Sequence, residues 1–182
     1  MRFKVGIRRE DKNQWERRVP LIPEHVRKLK HNHNIKTVIQ PSKIRVYSDE
    51  EYKKAGASVQ EDLSNCSTIF AIKEIPMDFF EYGKTYIFFS HTIKGQKYNM
   101  PMLKKMMKLK CSLIDYEKIV DERGRRLVFF GRFAGHAGMV DTLWALGRRL
   151  NNNNVDTPLN NIKQTIHYQN LEEIKKHLEK IG

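Results

Sequence analysis

The feature that most constrains the fold is a repeated alternation of short apolar runs with longer helical patterns. Runs rich in β-branched and aromatic residues recur at Phe3–Ile7, Lys36–Gln40, Thr68–Ile72, Thr85–Phe89 and Cys111–Ile114. Each run is too short for a helix and is bounded by polar or turn residues, which indicates buried strands. Strands that alternate with helices favour parallel pairing, because parallel neighbours need a crossover connection.

The helical segments carry start and stop signals. Pro23 stands at a first-turn position, and Ser48 with Glu51 has the spacing of a capping box in a helix that Gly56 closes. Tyr98–Lys110 has a methionine stripe opposite a lysine face, which predicts an amphipathic helix. We therefore predict an α/β fold with an open, mainly parallel sheet of the Rossmann or flavodoxin type and helices on both faces.

The composition divides the chain into three predicted parts. Residues 1–150 hold the apolar runs and a long helix, and they should form a substrate domain; within them, residues 117–130 suggest a small hairpin. Residues 151–169 are rich in asparagine and predict a linker or loop. In residues 170–182, Asn170 and Glu173 begin a terminal amphipathic helix. Its apolar stripe needs a partner, in this domain or in a following one.

The charge points to anionic partners. Lys and Arg number 34 against 21 Asp and Glu, a formal net charge of +13, which suits nucleic acid, anionic lipid or small carboxylates and phosphates. The longest apolar runs are far too short to span a bilayer, and no signal peptide is recognisable, so we expect an intracellular protein, with the cytoplasm favoured. Cys66 and Cys111 lack the spacing of a metal site, which indicates reduced thiols and no metal.

No nucleotide-binding fingerprint is present. The ten glycines never occur as Gly-x-Gly, and no complete P-loop is found. Gly131–Gly138 has the wrong spacing for a dinucleotide loop, and a helix start or close backbone packing explains it better. We therefore expect a sheet without the dinucleotide-binding glycine loop.

Chemically active side chains follow the predicted strands. Lys73 and Glu74 come after the third apolar run, and Ser90 and His91 come after the fourth. Ligands of open α/β sheets bind outside the carboxyl ends of the strands. If the two strands are neighbours, Lys73 and His91 stand within reach of one ligand and can move protons in carbonyl or imine chemistry. The alternative is that these polar residues only mark strand ends.

Arginines suited to carboxylate binding lie nearby in the sequence. Arg17 and Arg18 form one pair and Arg125 and Arg126 another, and a guanidinium can hold a carboxylate with two hydrogen bonds. Exposure to solvent is the alternative for each of them.

Several local strings resemble one family. They are Gly6–Glu10, Trp15–Pro23, Ala71–Pro76, Phe88–Lys94, Ile114–Glu117, Gly124–Arg126 and Phe130–Gly131. In order and spacing they are similar to the amino-terminal domain of lysine-ketoglutarate reductase, also called lysine-forming saccharopine dehydrogenase, in the wider alanine dehydrogenase and transhydrogenase group. The similarity runs from about Lys4 to Leu150. One departure is His136, where a small or apolar residue is expected.

The resemblance implies reductive condensation of L-lysine with 2-oxoglutarate to saccharopine, with NADPH or NADH in the complete enzyme. Lys73 and His91 match the acid–base lysine and histidine of the family, and Arg18 matches an active-site arginine. Further residues that would line the substrate cleft are Arg17, Glu74, Lys94, Glu117 and Arg126. In the family a nucleotide-binding domain follows this region. We therefore expect no cofactor site in this chain and a dependence on such a domain in cis or in trans.

Two other functions are considered. A non-catalytic ligand-binding or regulatory domain of the same fold would retain Arg18 but would not require both Lys73 and His91. A nucleic-acid-binding module would explain the charge, but it predicts a basic stripe with exposed aromatics, whereas the aromatics here fall mainly in the predicted strands. A membrane partner is not expected.

Overall fold

A six-stranded parallel sheet forms the centre of the first part of the chain in the computed structural model, which describes residues 3–181. All five strand pairs are parallel, and the strand order is β3-β2-β1-β4-β5-β6. The strands are β1 (Lys4–Ile7), β2 (Lys36–Ile39), β3 (Ser58–Val59), β4 (Thr68–Phe70), β5 (Thr85–Phe88) and β6 (Ser112–Asp115). The predicted open parallel sheet is confirmed, and the two-residue β3 is an addition to it.

Residues 3–181 contain five α-helices. They are α1 (Pro23–His33), α2 (Asp49–Lys54), α3 (Met100–Lys108), α4 (Gly131–Asn152) and α5 (Leu171–Glu179). Ser48 forms the predicted capping box with Glu51 at the start of α2. Short 3-10 turns lie at Met77–Phe79, Lys97–Asn99, Tyr116–Lys118, Pro158–Asn161 and Thr165–His167.

Helices cover both faces of the sheet, as predicted. Ile7 and Ile39 project from one face and pack against Val26 of α1 and Tyr52 of α2. The opposite face packs its apolar side chains against α3; this cluster includes Ile69, Tyr86, Phe88, Met102 and Met106. The two faces alternate along each strand, as the pleat of a strand requires.

Gly6 allows close packing at the centre of the sheet. A Cβ atom built at this position would lie 2.7 Å from Ile69 Cδ1 and 3.3 Å from Cys66 Cβ. Only a residue without a side chain leaves room for these neighbours without displacing them. Cys66 is buried and Cys111 is partly buried, and both are free thiols whose pKa is raised by burial.

The sequence predicts a small hairpin in the segment after β6. Val120 and Arg126 form a single antiparallel bridge around a turn in which Gly124 has φ +75°. Residues 116–118 form a 3-10 turn instead of a strand. A small hairpin is present, with Leu127 N–H donating to Ile119 O at 2.9 Å, and Asp121 holds its turn by accepting hydrogen bonds from the N–H groups of residues 123 and 125.

The chain divides into two compact units, Met1–Val128 and Phe129–Gly182. In the second unit, α4 and α5 enclose a cluster of the buried residues Val140, Ile162, Tyr168 and Ile174. Helix α4 thus belongs to this unit, although the sequence placed it with residues 1–150. Residues 151–169 contain two 3-10 turns, and Ile162 supplies the apolar anchor that the asparagine-rich composition obscured.

The apolar stripe of α5 finds its partner within the second unit, where Leu178 and Ile181 pack against the same cluster. Gly147 of α4 lies so close to the Pro158–Asn161 turn that a Cβ atom there would meet Leu159 O at 2.6 Å. Among residues 3–181, no helix is both long enough and apolar enough to cross a membrane.

Candidate functional site

The candidate site lies at the carboxyl ends of β1, β4 and β5. The strand order reverses between β1 and β4, since β2 lies on one side of β1 and β4 on the other. In open α/β sheets such a reversal opens a crevice between the loops that follow the two strands. Here the loop after β1 carries Arg8 and Glu10, and the segment after β4 carries Lys73 and Glu74.

Glu10 joins the two loops that face each other at this reversal. Its Oε1 accepts a hydrogen bond from Ile72 N–H at 2.7 Å, and its Oε2 accepts one from Lys73 N–H at 3.0 Å. The side chain is 7% exposed, and this burial raises the pKa of Glu10. Glu10 thus fixes the backbone that carries Lys73, a role that sequence reasoning did not assign.

Lys73 and His91 follow strands that are paired side by side. Phe70 of β4 lies opposite Ile87 of β5, and Phe89 N–H donates to Ile72 O at 3.1 Å beyond the strand ends. The predicted adjacency of the two strands is therefore present. The side-chain amino group of Lys73 makes no hydrogen bond or ion pair to any other residue in the part of the chain that the structure describes.

Glu74 links the lysine-bearing segment to His91. Its Oε1 lies 2.8 Å from His91 Nδ1, and its Oε2 lies 2.5 Å from Lys12 Nζ. Burial opposes ionisation of Glu74, but the hydrogen bonds from Lys12, from its own backbone N–H and from His91 outweigh it and lower its pKa to about 2. Glu74 is therefore a carboxylate at neutral pH and can only accept hydrogen bonds.

The negative charge of Glu74 determines which ring nitrogen of His91 carries the hydrogen. Because the carboxylate only accepts, His91 Nδ1 must carry the hydrogen and donate it. In the neutral ring this leaves Nε2 as the nitrogen that can accept a proton. The imidazole also stacks on Phe89, with ring centroids 6.3 Å apart and planes 17° apart.

His91 adopts a backbone conformation that is uncommon for a residue with a side chain. Its φ is +51°, in the left-handed region. Asn99 stabilises this turn, because its buried side-chain amide donates to Ser90 O at 3.0 Å. The buried Ser90 hydroxyl in turn donates to Asp115 at the end of β6. Such backbone strain persists where the surroundings enforce it, and it is typical of functional sites.

Arg18 is held by a neighbouring carboxylate. Its Nε donates to Glu16 Oε1 at 2.7 Å and its Nη2 donates to Glu16 Oε2 at 2.6 Å. Burial opposes ionisation of Glu16, but Arg18, together with the charge of Lys73, lowers the pKa of Glu16 below its ordinary value. The predicted carboxylate-binding arginine thus presents two of its donors to a residue of its own chain.

The other predicted cleft residues have varied surroundings. Arg17 Nε donates to Ile44 O at 3.2 Å and so connects its segment to the loop after β2. Glu117 pairs with Arg126 at 3.2 Å, beyond the end of β6. Lys94 is exposed in the turn after His91. Among the described residues, none of these four side chains makes a hydrogen bond or ion pair with Lys73 or His91.

The residues after β1 do not fit a nicotinamide dinucleotide. A dinucleotide loop needs glycines so that the backbone can approach the pyrophosphate. At this point the chain has the buried side chains of Arg8 and Glu10, 5% and 7% exposed, and no glycine. Across residues 3–181, no group of three or more His, Cys, Asp or Glu side chains could hold a metal ion.

Comparison with known proteins assigns the family. Residues 6–137 match the family described as "Alanine dehydrogenase/PNT, N-terminal domain". The chain belongs to this family. The match covers the end of β1, the other five strands and the candidate site, so the resemblance identified from the sequence strings is confirmed.

The relatives of the chain are named as synthases and dehydrogenases. Alpha-aminoadipic semialdehyde synthase from Bos taurus, a mitochondrial protein by its name, is 46% identical over 166 residues, which are 91% of this chain and 18% of that protein. The Arabidopsis thaliana synthase is 39% identical over 98% of this chain and 17% of its own length. Saccharopine dehydrogenase [NAD(+), L-lysine-forming] from Yarrowia lipolytica is 31% identical over 74% of this chain and 37% of its own length.

The chain spans less than a fifth of the length of the synthases. The cytoplasmic location favoured by the sequence is not supported by these comparisons, since the relatives include proteins named as mitochondrial.

Proposed function

We propose that this chain is the substrate-binding part of an oxidoreductase that reductively condenses L-lysine with 2-oxoglutarate to give saccharopine. The observation that carries the proposal is the link from Glu74 to His91, which sets a histidine with an available Nε2 beside the strand end that bears Lys73. The names of the relatives supply saccharopine and L-lysine, and the family resemblance of the sequence strings supplies 2-oxoglutarate. NADPH or NADH would bind to a nucleotide-binding domain in cis or in trans.

The chemistry of this condensation requires several proton transfers. The ε-amino group of L-lysine must lose a proton as it adds to the keto carbon of 2-oxoglutarate. The hydroxyl of the resulting carbinolamine must gain a proton to leave as water and give the imine. In the proposal Lys73 and His91 carry these protons, with His91 Nε2 as the exchanging atom. Arg18 and its neighbours would bind substrate carboxylates.

The test uses a complete enzyme, in which this chain replaces the 166 aligned residues of the Bos taurus synthase. Lys73→Met and His91→Gln should each lower kcat for NADPH oxidation by about 10²–10⁴-fold, which is typical for loss of a positioned acid or base. Lys73 makes no side-chain hydrogen bond or ion pair among the described residues, so Lys73→Met should change the free energy of unfolding by about 1 kcal/mol or less. His91→Gln removes a hydrogen bond to Glu74, which keeps Lys12 as a partner, so it should lower the free energy of unfolding by about 1–3 kcal/mol and leave the chain folded.

Matched controls come from exposed residues of the same types. Lys108→Met at the end of α3 and His31→Gln at the end of α1 should leave kcat unchanged. Arg18→Gln should mainly raise KM for the carboxylate substrates. If Lys73→Met and His91→Gln keep parental turnover across the pH range, or if both unfold, the proposed proton transfer is wrong.

A ligand-binding domain without catalytic residues is the second candidate, and it is distinguished by the same enzyme. It would bind saccharopine in calorimetry and lose that binding in Arg18→Gln, but it would show no kinetic response to Lys73 or His91. The 182-residue chain alone should not bind NADPH with micromolar affinity, because the loop after β1 carries Arg8 and Glu10 and no glycine that would let the backbone approach a pyrophosphate. Micromolar NADPH binding by the isolated chain would contradict this part of the proposal.

A further inference from the structure

A second concave surface lies at the opposite edge of the sheet. Lys4 begins β1 and Lys36 begins β2, and the two residues are directly opposite in the parallel register. Lys30, from the last turn of α1, lines the same cavity of about 250 Å³. The remaining lining residues are Thr37, Val38, Gly56, Ser58 and Gln60.

This lysine cavity, defined by Lys4, Lys30 and Lys36, has uncompensated positive charge. No carboxylate lines the cavity, and in the described part of the chain none of the three lysines forms an ion pair. Other lysines do have carboxylate partners; Lys12 and Lys84 are examples. The three ammonium groups repel one another in one concave site. An anion bound there would be attracted by all three and would offset this repulsion.

Two further observations indicate a built site. Thr37 is 3% exposed, and its Oγ1 has no hydrogen-bond partner among the described residues. A buried hydroxyl without a partner is rare and calls for an explanation such as an absent ligand or ion. Gly56 has φ +95°, and a Cβ atom there would lie 2.8 Å from Lys30 Nζ. Gly56 therefore makes room for the Lys30 amino group at the cavity.

We propose that the lysine cavity binds the phosphoryl group of a small anion. All three cations are lysines, whose compact ammonium groups bind phosphate oxygens as point charges. The hydroxyls of Thr37 and Ser58 add uncharged hydrogen-bonding groups. The volume suits a small phosphorylated molecule rather than a dinucleotide. This site is separate from the proposed catalytic site at the carboxyl ends of the strands.

The experiment measures calorimetric binding of pyrophosphate, inorganic phosphate, AMP and adenosine to the 182-residue chain. The parent should bind pyrophosphate and AMP but not adenosine, and the order of inorganic phosphate, pyrophosphate and AMP distinguishes a free anion from a nucleotide phosphate as the ligand. The triple variant Lys4→Gln/Lys30→Gln/Lys36→Gln should bind pyrophosphate at least about tenfold more weakly. The charge-matched control is Lys104→Gln/Lys105→Gln/Lys108→Gln in α3, which should bind within about twofold of the parent.

Thr37→Val distinguishes an effect on ligand affinity from an effect on the stability of the fold. Removing a buried hydroxyl that lacks a partner should leave the melting temperature unchanged or raise it, while the affinity for pyrophosphate falls by about fivefold. The proposal is overturned if the parent binds no pyrophosphate at millimolar concentration. It is also overturned if both triple variants weaken binding equally, if adenosine competes with AMP, or if single-stranded DNA binds more tightly than pyrophosphate.

Discussion

Replacing Glu74 by glutamine tests the electrostatic centre of the candidate site. The carboxylate is 10% exposed and binds both Lys12 and His91, and its pKa falls from the ordinary 4.5 to about 2. Each pKa unit corresponds to about 1.4 kcal/mol, so the ionised side chain stabilises the folded chain by at most about 3 kcal/mol. Lys12 is 47% exposed, so solvent screens part of this interaction. We expect Glu74→Gln to lower the free energy of unfolding by about 1–3 kcal/mol at pH 7.

The stabilisation by Glu74 should decrease as the pH falls. The folded pKa of Glu74 is lower than its unfolded pKa, so the stabilisation is fully present above pH 4.5 and is lost as the pH falls toward about 2. Urea unfolding of the parent and of Glu74→Gln, followed by circular dichroism at several pH values, measures the difference. That difference should be constant above pH 4.5 and should shrink steadily below it.

Glu61→Gln is the matched control for this experiment. Glu61 also forms an ion pair, with Arg9, but it is 63% exposed, and such surface pairs contribute little. Its substitution should change the free energy of unfolding by less than about 1 kcal/mol. A Glu74→Gln difference that stays constant from pH 7 down to pH 2, or one no larger than that of Glu61→Gln, would refute the assignment of Glu74 as a buried, ionised anchor of His91.

Two further predictions concern local packing and capping. Gly147→Ala should destabilise the second unit by about 1–3 kcal/mol, because the new Cβ would overlap Leu159 O, whereas Gly135→Ala in the same helix meets nothing within 4 Å and should be neutral or stabilising. Thermal unfolding of the two variants side by side checks the contrast. Ser48→Ala should lower the free energy of unfolding by about 1 kcal/mol through loss of the capping box with Glu51, as urea titration would measure.

The sheet could be predicted from the sequence because its main strands carry their own signal. Five apolar runs correspond to five strands, and the side chains of β1, β2, β4 and β5 pack on the faces that α1, α2 and α3 cover. The strand β3 has only Ser58 and Val59, without an apolar run of its own. It is a strand only because it pairs with β2. Such pairing depends on tertiary structure and leaves no pattern in the local sequence.

Of the candidate site, only the order of the strands that carry it could be predicted from the sequence. Lys73 and His91 are expected to lie close together because they follow two consecutive strands that pair. The hydrogen bond from His91 to Glu74, and the Glu10 side chain across the β1 and β4 loops, depend on loop conformations such as the positive φ of His91. Those conformations are enforced by residues distant in the sequence, among them Asp115, so no local spacing predicts them.

The shortness of β3 has a consequence for self-association. An edge strand exposes unpaired N–H and C=O groups, and a second chain can extend the sheet by pairing with them. At this edge the chain offers only Ser58 and Val59, too short a template for a stable intermolecular ladder. Growth of ordered aggregates from this side of the sheet is therefore blocked by length alone, without a proline or a bulge.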